Sequence, residues 1–89
     1  MNERRWQVIL EQQPQKMLRR LPRDMRERVD RALLALTDNP RPHGCKKLTG
    51  HELYRIRVGE WRIICAVEDD RLIVLVLEIT PRSSAYRGL

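Results

Sequence analysis

No apolar run in the sequence approaches the ~20 residues that a membrane-spanning helix needs. The opening stretch, MNERRWQVIL, holds too short an apolar part for a secretory signal. A cytoplasmic location is therefore expected, without membrane attachment. Cysteine is scarce: Cys45 and Cys65 form no CxxC. Together with His43 and His51 they are too few for a metal site, so neither a metal nor another cofactor is expected. Internal repeats and low-complexity tracts are lacking as well. Acidic residues are the minority sign, 12 Asp and Glu against 18 Lys and Arg.

What is present is basic. The net charge is +6, the isoelectric point is near 10.1, and 15 of the 18 basic residues are Arg. Such a bias points to a polyanionic partner: nucleic acid first, an acidic protein segment or membrane surface second. A hydrophobic share of 42% and a charged share of 34% fit a folded soluble protein. Eighty-nine residues support one modest core, so residues 1–89 are read as a single domain.

Residues 6–10 alternate, with Trp6, Val8 and Leu10 on one side, and predict a first strand. Pro14 stands where proline opens a helix, predicting a short helix from Gln15 to Arg20 with Met17, Leu18 and Leu21 inward. Pro22 breaks that helix and starts the next. From Arg23 to about Asp38, Met25, Val29, Ala32, Leu33 and Leu36 form one helical stripe, and Asn39-Pro40 ends it. Residues 40–51 read as a loop. Asp69-Asp70-Arg71 reads as a tight turn. Leu72 to Thr80, LIVLVLEIT, is apolar on both sides, as a central strand covered on both faces would be. Pro81 ends it, and a short tail or helical turn follows.

The most informative stretch is YRIRVGEWRIICAV, residues 54–67. Gly59-Glu60 suits a two-residue type II′ hairpin, because glycine tolerates positive φ at the first central position. That register sets Val58 opposite Trp61, Arg57 opposite Arg62 and Arg55 opposite Ile64. Tyr54, Ile56, Val58, Trp61, Ile63, Cys65 and Val67 then share one face, and Arg55, Arg57 and Arg62 share the other. Like charges directly opposite repel, so the cluster is either a well-solvated basic face or an anion site. The predicted order is β-α-α-β-β-β, an α+β fold. A helical hairpin packs on one face of a small, mostly antiparallel sheet, and the first strand is free to pair in parallel with the last.

With this order in view, the chain resembles the RelE/ParE family of toxins from type II toxin–antitoxin systems. The resemblance rests on KKLTG, then LYRIRVGEWRIIC, then an apolar strand ending near Arg82 and Tyr86. It implies a RelE-like fold. It further implies a ribosome-dependent endoribonuclease that cuts mRNA in the ribosomal A site, or a ParE-like toxin that acts on DNA gyrase. A third possibility is an inactive toxin that only forms an antitoxin complex. The implied partners are a cognate antitoxin, the ribosome and mRNA. Residue by residue, the RelE catalytic positions fall on Arg55, Arg57, Arg62, Arg82 and Tyr86. Arg41, Lys46, Lys47 and Arg87 are the basic residues expected to contact RNA or the ribosome. Trp61 stands where Tyr is common, and Pro81 where many members have His. Among the residues themselves, Arg57, Arg62 and Arg82 suit a phosphorane-like transition state, and Tyr86 suits stacking on a base. Arginine is a poor general base, so the acid and base stay unassigned, and nothing in the sequence brings His43 or His51 to the site.

Overall fold

The first regular element in the computed structural model, which describes residues 6–48 and 52–81, is strand β1 (Gln7–Leu10). Two helices follow, α1 (Gln12–Arg20) and α2 (Arg23–Ala35). Then come four strands: β2 (Lys46–Lys47), β3 (Leu53–Val58), β4 (Trp61–Glu68) and β5 (Ile73–Pro81). They form one sheet in the order β1-β5-β4-β3-β2, parallel between β1 and β5 and antiparallel elsewhere. The expected α+β order is present with one addition: Lys46–Lys47, within the expected loop, form a short strand on the edge of β3.

Helix α1 starts three residues earlier than proline placement suggested. Pro14 sits in its first turn, where the backbone N–H it lacks would have had no intrahelical acceptor. Gln15 Nε2 donates to Leu10 O at 2.8 Å, tying the helix to the end of β1. In α2 the predicted stripe is the buried face: Val29, Leu33 and Leu36 are buried, with Met25 and Ala32 packed beside them. They meet Ile56, Val58, Ile63, Cys65, Val74, Val76 and Ile79 from the sheet. Each such side chain removed from water contributes roughly 1.5–3 kcal/mol before entropy is counted. Trp6 N–H donates to Thr37 O at 2.9 Å, so the backbone just before β1 caps the turn that follows α2.

Two further expectations change in β5. Leu72 is not its first residue but the last of the turn, in the left-handed region at φ 55°. The turn closes through Arg71 N–H to Glu68 O and Leu72 N–H to Asp69 O, each 3.3 Å. Nor is the strand covered on both sides. Among the described residues both helices lie on one face, and Ile73, Leu75 and Leu77 stay half-buried on the other.

The register between β4 and β5 also shifts. Ile64 pairs with Glu78 and Cys65 with Val76, which leaves Leu77 as the extra residue of a β-bulge. Before the bulge Val74 and Val76 face the helices. After it Ile79 does, fully buried, while Glu78 and Thr80 turn to the open face.

Candidate nucleic-acid interface

The β3–β4 hairpin is built as its sequence dictates. Gly59 has φ 59°, Glu60 stays outside the left-handed region, and Val58 pairs with Trp61, which is the type II′ pattern. Helix α2 lies tight against this turn. A Cβ on Gly59 would stand 3.0 Å from Met25 Cε and 3.2 Å from Arg28 Nη1. One rung back, Arg57 faces Arg62 across the pair. That rung is non-hydrogen-bonded, so its Cα atoms are about 4.5 Å apart. The next open-face rung joins Arg55 to Ile64 and, outward, to Lys46. Arg57 is exposed, and Arg55 and Arg62 are half-buried. The open face therefore carries Lys46, Arg55, Arg57 and Arg62 together at one end of the sheet.

Beyond Arg62 in the same row stands Thr80, and beyond Ile64 stands Glu78. The bulge thus places a carboxylate one row from Arg62. Glu78 is not among the site residues expected from the sequence. Its signal was the polar spacing of Glu78 and Thr80 in a strand whose earlier residues at the same parity, Val74 and Val76, are core.

A second group of residues also escaped the sequence reading. Cys45 N–H donates to Pro42 O at 3.0 Å, closing a four-residue turn with Gly44 at φ 93°. Glycine in the third position of Pro42-His43-Gly44-Cys45 is the type II turn pattern, and it was legible. The turn holds the exposed His43 against the margin of β3. His43, Gly44, Lys46, Arg55, Ile56 and Arg57 line a cleft of about 430 Å³.

The remaining predicted contacts are engaged elsewhere or lie outside the described residues. Lys47 points to the opposite face from Lys46 and pairs with Glu52 at 3.5 Å. Arg41 donates to Tyr54 Oη at 3.0 Å and, bidentate, to Asp69 at 3.1 and 2.7 Å, with its guanidinium 5.0 Å from the Tyr54 ring centroid. Those bonds hold the Arg41 guanidinium above its ordinary range and the Asp69 carboxyl below its own. Arg41 thereby staples the loop after α2 to the β4–β5 turn. Arg82, Tyr86 and Arg87 fall outside the described residues, as does His51.

The arrangement can bind phosphate through planar, permanently charged donors. In the core behind it, burial pushes the Cys65 thiol up to about 12, with Cys45 adding to the shift. Among the described residues, no group of three or more His, Cys, Asp or Glu side chains could hold a metal. No described helix is long and apolar enough to cross a membrane.

Known structures share this architecture. A RelE from Pyrococcus horikoshii OT3, solved as an archaeal RelE–RelB complex, is 28% identical with a TM-score of 0.78, over 90% of this chain and 98% of that one. The RelB–RelE antitoxin–toxin complex from Methanococcus jannaschii gives 25% identity and a TM-score of 0.75, over 92% and 99%. The isolated E. coli RelE toxin, at 21% identity and a TM-score of 0.75 over 94% and 99%, matches in fold. No curated protein matches the sequence. The family described as the ParE toxin of the type II toxin–antitoxin system, parDE, matches residues 8–86. The chain therefore belongs to the ParE toxin family of type II toxin–antitoxin systems, within the RelE/ParE superfamily.

Proposed function

We propose that this toxin is a ribosome-dependent endoribonuclease that cuts mRNA in the A site and so stops translation. The observation that carries this reading is the set of Arg55, Arg57 and Arg62 on one open face, with Lys46 at its margin. A gyrase-binding protein needs no such cluster. In this reading the ribose 2′-hydroxyl attacks the adjacent phosphorus in line, and the bond to the 5′-oxygen of the next nucleotide breaks. Charge gathers on the equatorial oxygens as it does so. Arg57 and Arg62 oppose that charge with donors fixed on the sheet, and Arg82 is assigned as a third donor. Arg55 and Lys46 hold the neighbouring backbone, and Tyr86 stacks on a base. No cofactor takes part. The protein acts in the cytoplasm, and a cognate antitoxin silences it. The Pyrococcus and Methanococcus relatives were solved in complex with RelB.

A second reading is gyrase inhibition, favoured by the ParE description of the matching family. The two separate cleanly. Purified protein is added to translating ribosomes, and separately to gyrase with supercoiled DNA. Transcripts ending inside A-site codons support the nuclease. Gyrase-dependent DNA breaks with intact mRNA support the inhibitor and sink the nuclease reading.

A further inference from the structure

We propose that the cleft between the Pro42–Cys45 turn and the margin of β3 is a subsite for one nucleotide of single-stranded RNA, with His43 as its specific contact. The proposal deepens the nuclease reading and rests on it for the choice of RNA.

Three observations converge there. The first is charge. Lys46, Arg55 and Arg57 line the cleft together with His43, and among the described residues no acidic side chain lines it. A concave site with cationic walls concentrates an anion more strongly than the same charges on a flat face. The second is backbone. Leu48 N–H donates to Leu53 O at 2.8 Å, so Leu53 directs its polar groups toward β2. Strand alternation then directs those of Arg55 and Arg57 the same way. Lys46 is the β2 residue paired with Arg55, and β2 begins there, so among the described residues Arg57 has no strand partner on that side. Its N–H is aimed past the end of β2 toward the Gly44 side of the cleft, which the Arg57 side chain also lines. Paired backbone and guanidinium donors suit the oxygens of a phosphodiester.

The third is the turn. Gly44 at φ 93° has nothing within 4 Å of where a Cβ would lie, so that wall is open. His43, at the turn's second position, presents a planar ring able to stack on a base and to donate or accept a hydrogen bond with ribose. The volume, about 430 Å³, is that of a site for one small group. An acidic peptide would set a single carboxylate into it and leave the ring without a function.

The test uses the full chain and a 2′-O-methyl trinucleotide, which lacks the attacking hydroxyl and cannot be cut, titrated at low salt. The His43 ring proton signals are assigned by their disappearance in His43→Gln. They are expected to shift to saturation. His43→Ala and Lys46→Ala are each expected to weaken binding about tenfold, the scale of one charge-assisted hydrogen bond. Arg71→Ala, which removes a charge from the β4–β5 turn, is expected to change it less than about twofold, with thermal melts confirming that every variant folds. Unmoved His43 signals at saturation would overturn the subsite. So would equal weakening by Arg71→Ala and His43→Ala, which marks unspecific charge. A hexaglutamate peptide shifting His43 at lower concentration than the trinucleotide would do the same. RNA binding here without cleavage on ribosomes keeps the subsite and removes the nuclease. Cleavage with silent His43 signals does the reverse.

Discussion

Gln13, in the first turn of α1, makes both backbone hydrogen bonds of Ile79 in β5: its Nε2 donates to Ile79 O at 3.1 Å, and Ile79 N–H donates to its Oε1 at 3.0 Å. Strand β1 stops at Leu10, where Glu11 N–H reaches Val76 O at 3.0 Å, and a side chain takes over the next rung. Gln13→Ala is expected to cost about 1–3 kcal/mol, the range for leaving buried polar groups unmatched. Gln13→Glu keeps the acceptor and loses the donor, so it should fall between. Urea unfolding measures both. An Ala variant as stable as wild type would mean that water serves that edge equally well.

Gly59→Ala should destabilise by about 1–2 kcal/mol, the cost of placing an L-residue in the left-handed region. The 3.0 Å approach to Met25 Cε adds to this where the side chain fails to shift. Met25→Ala in the same background should recover only the packing share. The urea midpoints of the four combinations separate the two causes.

Arg62→Ala should leave the fold intact and cost roughly 2–4 kcal/mol in transition-state stabilisation, the scale of one oxyanion-type donor. Removing a charge from the Arg57–Arg62 rung also relieves repulsion, so the melting temperature should hold or rise. Full toxicity on expression of the Arg62→Ala variant would show that phosphate is not bound there. A lower melting temperature would show that Arg62 serves the fold.

Acid should undo the Arg41–Asp69 staple. The folded Asp69 carboxyl lies below its ordinary range because Arg41 hydrogen-bonds it. Its contribution is therefore complete above the free carboxylate value of about 3.9 and is lost as pH falls through the lower folded value. Wild type should melt slightly above Asp69→Asn at pH 7, and the gap should close near pH 2. The gap stays small because the Asp69 side chain is 62% exposed. A gap independent of pH would remove the ion pair as its cause.

Much of this structure could be read in advance wherever one physical rule acted alone. Gly59 and strict alternation fixed the hairpin register, and with it the company of Arg55, Arg57 and Arg62. The spacing of Met25, Val29, Leu33 and Leu36 fixed the buried face of α2. Reading failed where rules competed. Leu72 continues an apolar run, yet closing the turn forces it to φ 55°. Pro14 signals a helix start, yet it is tolerated anywhere in the first turn, so the boundary moved. Lys46 and Lys47 form a strand only because β3 offers them an edge, which is a long-range cause that local composition does not record. His43 reads from local composition as a loop residue, and its place beside Arg55 and Arg57 depends on that same edge.

The bulge at Leu77 makes the length of β5 negotiable at one point. With Leu77 deleted, Val76 would be followed directly by Glu78, and the existing pairs Cys65–Val76 and Ile64–Glu78 would become consecutive rungs of an unbroken ladder. Val74, Val76 and Ile79 would still face the helices, and Glu78 and Thr80 would still face outward. The deletion should therefore fold, losing about 1–3 kcal/mol with the half-buried leucine, and circular dichroism with a thermal melt would show it. Leu77 thus behaves as an insertion that the sheet absorbed without reassigning any neighbour.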